Sequence, residues 1–327
     1  MVVEIVPAGS AMAKALALLG AGEPVAIPTE TVYGLAGDAT NGAAVARIYE
    51  AKGRPSFNPL IAHVASMEMA EANAIFDPLS RRLAERFWPG PLTLVLPLRP
   101  GSAIHPLVTA GLDTVGLRMP RGFSSALIRE FGRPLAAPSA NRSGSVTGTS
   151  AQAVAADLGD RIRLVVDDGP SRVGVESTIV KVEGDRLRLL RPGGVPSEEI
   201  EDVAGIPLVR GTGAAIEAPG MMASHYAPSA RVRPDADVVA PGEALLAFGP
   251  RRIPGADRAA AVLNLSENGD LAEAAANLFG HLKALDGSGA AMIAVEPIPR
   301  HGLGEAINDR LRRASAPRPT DVAVPST

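Results

Sequence analysis

The sequence has 327 residues, of which 46% are hydrophobic and 20% charged, and its formal net charge is -3. This length predicts two domains, at about 150 residues each, and the charge argues against a protein that coats nucleic acid, because such proteins carry a strong basic excess. The absence of cysteine excludes disulfides, cysteine-ligated zinc and a thiol nucleophile.

Strand and helix patterns alternate through residues 1–205. An opening strand is predicted for the apolar N-terminus, which lacks the basic start of a signal peptide. Helices are predicted where apolar residues recur at helical spacing. Ser10, Asn41 and Ser197 are predicted to cap three of them, and the others are predicted to start at Asp77, Ser124 and Ala151. Strands are predicted at residues 24–27, 60–64, 93–98, 114–119, 135–138 and 164–167. Residues 177–182 and 186–191 flank Glu183-Gly184-Asp185, which is typical of a hairpin.

The rest of the chain divides into a linker and a second α/β region. Residues 206–230 are rich in glycine, alanine and proline and show no steady period, so we predict a linker there. Strands are predicted at residues 244–248, 262–265 and 292–295, and helices at 271–285 and 305–313. The predicted domains are residues 1–205 and 231–316, followed by a tail at 317–327. No apolar run reaches about 18 residues, so we expect a cytoplasmic protein without a membrane span.

Two groups of polar residues follow the first predicted elements. Pro28-Thr29-Glu30-Thr31 comes directly after a strand, where hydroxyls and a carboxylate can bind a small polar ligand; an ordinary polar turn is the alternative. Lys52 and Arg54 lie at a helix end, where two cations can grip phosphate or can simply suit the negative end of the helix dipole. The sequence contains no P-loop, so ATP would bind by another route.

Three further polar sites lie on later strands or directly after them. Arg118 stands in an otherwise apolar strand and needs an anionic partner, either a ligand carboxylate or a structural Asp or Glu. His63, taken alone, is typical of a hydrogen-bonded core histidine. Ser139-Ala140-Asn141 begins a polar loop that can cradle phosphate through hydroxyl, amide and main-chain N–H groups, or can form an Asx-type turn.

In this order and spacing, the motifs resemble those of the YrdC-like threonylcarbamoyl-adenylate synthases, over residues 1–205. The matching stretches are K-x-R at Lys52-Gly53-Arg54 with N-P-L from Asn58, S-x-N at Ser139-Ala140-Asn141, P-T-E-T-V-Y-G-L from Pro28, G-L-R-M-P from Gly116, G-V-E-S-T from Gly174, and R-P-G from Arg191. The pair K-x-R and S-x-N is the hallmark of that family. The chain is therefore identified as a member of this family by resemblance.

The predicted linker resembles that of the family's long, two-domain form, through Pro219-Gly220-Met221 and His225-Tyr226-Ala227-Pro228. Many relatives carry basic residues between these segments, where this chain has Met222-Ala223-Ser224. A phosphate contact made from that segment in relatives is therefore not carried over to this chain.

The resemblance implies an α/β fold, with a YrdC-like twisted mixed sheet and flanking helices, followed by a smaller Rossmann-like α/β domain. It implies that L-threonine, bicarbonate or CO2, and ATP give threonylcarbamoyl-AMP and pyrophosphate, for a tRNA adenosine modification next to the anticodon. Mg²⁺ is expected on the phosphates of ATP, mostly coordinated by water. A downstream tRNA threonylcarbamoyl-transferase complex is the implied partner, while direct tRNA contact is left open.

The resemblance also implies the residues of the site. Those expected to hold threonine are Thr31, His63, Arg118, Ala137 and Ser177. Those expected around ATP are Lys52, Arg54, Asn58, Thr114, Ser139, Asn141, Thr147, Arg191 and Tyr226. The expected catalytic set is Lys52, Arg54, Ser139 and Asn141, and Tyr226 makes the linker a lid over the nucleotide. No general base and no metal ligand is assigned.

Two other functions fit parts of the sequence. An RNA-binding module would explain Lys52 and Arg54, but not the polar residues at strand ends. Carbamoyl transfer through carbamoyl-AMP is performed by relatives with additional zinc-finger and acylphosphatase-like segments, and the lack of cysteine argues against it. The role of residues 231–316 is open, because they show a fold pattern without a catalytic constellation.

Overall fold

The computed structural model describes residues 3–210, 217–219 and 226–317. The chain divides into two compact units, one of residues 1–143 and 147–221 and one of residues 144–146 and 222–327. Much of the predicted linker, and nearly all of the predicted tail, lies outside the described residues, so the predicted domain boundaries stay predictions. None of the described helices combines the length and the apolar character needed to cross a bilayer.

A large mixed sheet forms the first unit. Its described strands are β1 (Glu4–Pro7), β2 (Val25–Ile27), β3 (Gly34–Asp38), β4 (Ile61–His63), β5 (Leu92–Pro97), β6 (Thr114–Arg118), β7 (Leu135–Ala136), β8 (Leu164–Asp167), β9 (Thr178–Glu183), β10 (Arg186–Arg191) and β11 (Leu208–Arg210). Their order across the sheet is β1-β8-β2-β3-β7-β4-β6-β5-β9-β10-β11. The sheet is mixed because β4 and β6 are parallel while β7 runs antiparallel to both β3 and β4, which confirms the predicted fold class.

Helices flank this sheet. They are α1 (Ala8–Gly20), α2 (Gly42–Lys52), α3 (Met67–Asn73), α4 (Pro78–Phe87), α5 (Pro106–Thr109), α6 (Phe123–Phe131), α7 (Ala151–Leu158) and α8 (Ser197–Ala204). Asn41 and Asp77 accept hydrogen bonds from the first N–H groups of α2 and α4, which confirms both as capping residues. The predicted cap at Ser10 is wrong, since α1 already begins at Ala8 and the Ser10 hydroxyl donates to Pro7 O instead. Ser197 is likewise inside α8, with Pro196 before it.

The hydrophobic core of the first unit contains residues from both helices and strands. Leu60, Leu94 and Leu117 are fully buried, and each such side chain stabilises the fold by roughly 1.5–3 kcal/mol. No strand was predicted between residues 28 and 59, but Gly34–Asp38 is the buried strand β3. Its small residues let α2 pack closely, because a Cβ on Gly37 would lie 2.9 Å from Ile48 Cδ1.

The second unit has a smaller sheet of four described strands. They are β12 (Arg231–Arg233), β13 (Ala244–Ala247), β14 (Val262–Asn264) and β15 (Met292–Val295), in the order β12-β15-β13-β14. All its pairings are parallel, and the helices are α9 (Leu271–Asp286), α10 (Leu303–Ser315) and the 3₁₀ turn Ala256–Arg258. Leu278, Leu282 and Leu285 on α9 are buried, as their helical spacing predicts. These elements confirm the predicted second α/β sheet region.

Candidate functional site

A buried polar cluster lies where several strands of the first sheet end. Arg118 ends β6, and its register partner on β4 is His63. The Arg118 side chain donates from Nη1 to Thr31 Oγ1 at 2.8 Å and from Nε to Gly90 O at 3.2 Å. The sheet therefore brings three of the predicted threonine ligands together from distant parts of the sequence.

Glu30 is the anionic partner that Arg118 needs. Arg118 Nη2 lies 2.8 Å from Glu30 Oε1, and both side chains are at most 10% exposed. Burial raises the pKa of Glu30, but the charge of Arg118 and a hydrogen bond from Arg121 N outweigh burial, so that the pKa lies below its usual value. The sequence left open whether Arg118 pairs with a ligand carboxylate or with a structural Asp or Glu. The structure shows a structural partner, Glu30. Among the described residues, hydrogen bonds engage Nε and Nη1 of Arg118, whereas Nη2 pairs with Glu30 by charge without a hydrogen bond, which leaves donors for a second carboxylate.

His63 is a neutral imidazole in the same cluster. It is 2% exposed, and burial together with the positive charge of Arg118 holds its pKa well below 6.5. Its Nδ1 has no hydrogen-bond partner among the described residues. The polar groups of a core histidine are normally bonded, so the unbonded nitrogen does not fit that alternative, and its contact with threonine stays a prediction.

Ser177 joins this cluster through Thr93. Their hydroxyl oxygens are 2.7 Å apart, and continuing the β5–β6 register from Leu94↔Leu117 places Thr93 opposite Arg118. Arg191, buried at the end of β10, donates to Ser177 O at 2.9 Å and to Ser177 Oγ at 3.2 Å. A predicted threonine ligand and a predicted ATP ligand are thus in direct contact.

Ala137, the remaining predicted threonine contact, follows β7. Its N–H donates to Ile61 O at 3.1 Å, so its main chain lies against β4. The five residues predicted to surround threonine therefore lie on adjacent strands or on the loops next to them. Their direct contact with threonine stays a prediction.

The K-x-R and S-x-N motifs meet through Lys52. Its ammonium donates to Ser139 O at 2.6 Å and to Asn141 O at 2.5 Å, and Ser143 N donates back to Lys52 O at 2.8 Å. Lys52 is 2% exposed, and burial, followed by the charge of Arg54, lowers its pKa well below its ordinary value. These bonds fix the course of the 139–143 loop.

Arg54 shapes its own loop in a similar way. It donates from Nε to Asn58 O at 3.2 Å and from Nη2 to Pro59 O at 2.9 Å. Thr114 begins β6, at the opposite end from Arg118, and continuing the β4–β6 register places it beside Pro59. Arg54 and Asn58 are thus joined within one loop, and Thr114 lies on β6, the strand that pairs with β4.

The last two predicted ATP ligands have different surroundings. Thr147 is buried and donates from Oγ1 to Glu176 Oε1 at 3.0 Å. Tyr226 belongs to the second unit, where it is 1% exposed. Its ring centroid is 5.4 Å from that of Phe279, with Arg310 Cζ 5.3 Å from the Tyr226 centroid. Its role as a lid stays a prediction, and residues 222–225 lie outside the described residues.

The sequence offered Glu30 as a ligand-binding carboxylate but not as the partner of Arg118. It did not single out Thr93, which contacts Ser177, Glu176, which contacts Thr147, or Glu217, which pairs with Lys181 of β9. Glu30 and Glu176 stand inside the motifs from Pro28 and Gly174, so their position was a usable signal. Thr93 and Glu217 gave no such signal, because their partners Ser177, Lys181 and Arg188 are distant in the sequence.

Family models and curated relatives match nearly the whole chain. The family model described as "Telomere recombination" matches residues 17–193, and the model described as "Threonylcarbamoyl-AMP synthase, C-terminal domain" matches residues 195–316. The threonylcarbamoyl-AMP synthase of Bacillus subtilis is 43% identical, over 94% of this chain and 93% of its own length. That of Pyrococcus abyssi is also 43% identical, over 91% and 92%.

Solved structures of related proteins also match this chain. The crystal structure of P. abyssi Sua5 complexed with L-threonine has a TM-score of 0.85 and 39% identity, and the match covers 96% of this chain and 98% of that one. The crystal structure of E. coli YciO matches 58% of this chain, and 96% of its own length, with a TM-score of 0.53 and 18% identity. The YciO match shows a shared fold alone.

Proposed function

Because the chain belongs to the threonylcarbamoyl-AMP synthase family, we propose that it converts L-threonine, bicarbonate or CO2, and ATP into threonylcarbamoyl-AMP and pyrophosphate. The observation that carries this is the buried cluster at the strand ends. An arginine with donors to spare, a threonine hydroxyl and a neutral histidine together suit a small zwitterion with its own hydroxyl. The threonylcarbamoyl-AMP synthases of B. subtilis and P. abyssi, each 43% identical to this chain, support the same activity.

The threonine side of the reaction uses the cluster around Arg118. The substrate carboxylate would take the N–H groups that Glu30, Thr31 and Gly90 leave over. The threonine amine, once neutral, attacks the carbon of CO2 and releases a proton to solvent, or attacks the carbon of bicarbonate with loss of water, and either route forms a carbamate. Because burial and the charge of Arg118 hold the pKa of His63 well below its ordinary value, the imidazole adds no second positive charge beside Arg118.

The nucleotide side uses the loops that Lys52 and Arg54 shape. A carbamate oxygen attacks the α-phosphorus of ATP, the bond to the β-phosphate oxygen breaks, and pyrophosphate leaves, which makes the enzyme a nucleotidyltransferase. The protein contributes mainly by positioning the reactants and stabilising charge. Mg²⁺ arrives on ATP as part of that substrate; the described residues contain no group of three or more acidic or histidine side chains set to hold a metal.

The chemical instability of the product has consequences for the site and for the protein that uses the product. Threonylcarbamoyl-AMP is a mixed anhydride that water hydrolyses readily, so a site that closes over it protects it. We propose that the linker with Tyr226 provides this closure. A tRNA threonylcarbamoyl-transferase complex would consume the product, in the cytoplasm where ATP and tRNA meet.

The direct test is pyrophosphate release by the full chain with MgATP and bicarbonate, with each amino acid in turn, and mass spectrometry of the nucleotide product. We expect release that needs both threonine and bicarbonate, and a product with the mass of threonylcarbamoyl-AMP. Release without amino-acid preference, or none, would contradict the proposal. A Lys14→Met variant should release pyrophosphate as wild type does, because Lys14 is exposed and its only partner among the described residues is Glu4. It is the control for variants that remove a cation from the site.

RNA binding is the competing function, and the burial of the cations argues against it. Lys52, Arg54, Arg118 and Arg191 are each at most 9% exposed, whereas binding to a phosphate backbone needs cations that reach the surface. Salt-dependent RNA binding without nucleotide turnover would favour that function instead.

A further inference from the structure

A short segment of the predicted linker lies on the first sheet. Glu217, Ala218 and Pro219 belong to the first unit, although residues 206–230 show no secondary-structure pattern in the sequence. Each of the three makes a different kind of contact with the β9–β10 hairpin or the strands beside it. Together these contacts fasten the linker at residues 217–219.

Glu217 is held by two cations of the hairpin. Lys181 Nζ lies 2.5 Å from Glu217 Oε2, and Arg188 Nη2 lies 3.0 Å from Glu217 Oε1. The Glu217 side chain is 17% exposed, so solvent screens these pairs less than it screens surface pairs. Partial burial raises the pKa of Glu217, but its bonds to Lys181 and Arg188 lower it overall. The carboxylate therefore stays charged at neutral pH.

Ala218 and Pro219 make the contacts of this segment that lie nearest to the candidate threonine site. Ala218 is 1% exposed within an apolar cluster that includes Ile61 of β4, the strand that ends at His63. Pro219 O accepts a hydrogen bond from Arg191 Nη1 at 3.4 Å. Arg191 in turn donates to the main chain and the hydroxyl of Ser177. The linker is thus coupled, through one arginine, to a residue of the candidate threonine site.

We propose that Glu217 is a positioning residue of the synthase: it fastens the linker to the β9–β10 hairpin, so that Pro219 holds Arg191 and Arg191 holds Ser177. The role rests on the proposed function, because Ser177 and Arg191 are expected to contact threonine and ATP. Glu217 acts on the substrates only through these residues. Its loss should therefore weaken substrate binding more than it slows the chemical step.

Glu183 provides a matched control within the same ion-pair group. It pairs with the same two cations, with Lys181 Nζ and Arg188 Nη1 both at 2.9 Å from Glu183 Oε1. Glu183 belongs to the hairpin itself and is 37% exposed. Glu183→Gln removes one negative charge from Lys181 and Arg188 but leaves the linker anchored, whereas Glu217→Gln removes the anchor.

The kinetic test compares full-length wild type, Glu217→Gln and Glu183→Gln by steady-state pyrophosphate release. We expect Glu217→Gln to raise the KM for threonine and for ATP about fivefold, the scale of a partly screened ion pair, with kcat within about twofold. Glu183→Gln should change neither constant by more than about twofold, and Glu217→Asp should restore most of the loss. Equal KM values for the two glutamine variants, or a loss confined to kcat, would overturn the proposal.

Hydrogen–deuterium exchange tests the anchor without any substrate. Peptides that contain residues 217–219 should exchange faster in Glu217→Gln than in wild type or Glu183→Gln, at unchanged melting temperature. Faster exchange in a protein that makes no threonylcarbamoyl-AMP would refute the proposed function while the anchor stands. Unchanged exchange would refute the anchor whatever the activity.

Discussion

The two groups of site residues in the first unit use their cations differently. Arg118 bonds mainly to side chains, namely the Thr31 hydroxyl and the Glu30 carboxylate. Lys52 bonds to main-chain carbonyls on the 139–141 loop. Both side chains are almost fully buried, so the contrast lies in the partner and not in the exposure.

The partner decides what each cation can do. A side-chain hydroxyl or carboxylate can share an arginine with a ligand while the backbone stays in place. A main-chain carbonyl belongs to the loop itself, so a cation bonded to two carbonyls sets the shape of that loop. We therefore assign recognition to the Arg118 group and loop geometry to Lys52, and the variants below test that division.

The largest effect is expected from Arg118→Met, which keeps length and removes charge. Removing one partner of a buried ion pair costs about 3–5 kcal/mol, because the other charge stays buried. Glu30 is that other charge, with its side chain 10% exposed, so we expect the free energy of unfolding to fall by about 3 kcal/mol. Urea denaturation measures the fall, and threonine-dependent pyrophosphate release should be lost.

The double variant Glu30→Gln/Arg118→Met separates the two losses. It leaves no charge stranded, so it should regain at least half of the stability lost by the single variant while activity stays absent. Equal stability of the single and double variants would show that the ion pair is not what Arg118 contributes to folding.

A smaller loss of stability is expected from Lys52→Met. It leaves the carbonyls of Ser139 and Asn141 without the ammonium, and an unsatisfied buried polar group costs about 1–3 kcal/mol. We expect the free energy of unfolding to fall by roughly 2 kcal/mol, together with a loss of activity. Lys14→Met, on the exposed pair with Glu4, should change stability by less than about 0.5 kcal/mol. A Lys52→Met protein as stable as wild type would break the division between recognition and loop geometry.

His63 predicts a pH dependence of stability. The folded-state pKa of His63 lies well below 6.5, whereas an unfolded histidine protonates near about pH 6.5. Below that pH the unfolded chain binds the extra proton, so this contribution to stability is complete above pH 6.5 and is lost as pH falls towards the folded pKa. The slope approaches about 1.4 kcal/mol per pH unit.

His63→Asn should flatten that slope between about pH 6.5 and 5, as measured by urea denaturation at several pH values. His281, whose pKa burial also lowers, is present in both proteins and cancels from the comparison. An unchanged slope in His63→Asn would mean that the imidazole is protonated in the folded protein.

The sequence predicted the parts of this arrangement that follow from local rules. Asn41 and Asp77 stand where helix N-terminal N–H groups need acceptors, and the apolar runs of β4 and β6 read as strands because both are buried. Lys52 contacts the main chain of Ser139 and Asn141, so the K-x-R and S-x-N motifs lie together, while their contact with ATP stays a prediction. The fold class followed from the same alternation and from the family resemblance.

The parts that escaped prediction depend on long-range contacts. Glu30 and Arg118 are 88 positions apart, and only the ordering of β2, β4 and β6 in the sheet brings their side chains together. Strand β3 was not predicted, because the glycine at position 37 is more typical of a turn than of a strand. In the structure, the missing side chain of Gly37 lets Ile48 approach the strand. Glu217 stands in a stretch without periodicity, so its two cationic partners could be found only in the folded chain.

The smallest effect is expected at Thr93, which orients a residue of the recognition group without being expected to touch substrate. Thr93→Val is nearly isosteric and removes the 2.7 Å hydrogen bond to Ser177 Oγ, at a cost of about 1 kcal/mol in the free energy of unfolding. Ser177 keeps its bonds from Arg191, so the KM for threonine should rise about threefold at most, with the KM for ATP unchanged. Steady-state assays with each substrate varied in turn measure this. A rise in the KM for ATP alone would place Ser177 with the nucleotide and not with threonine.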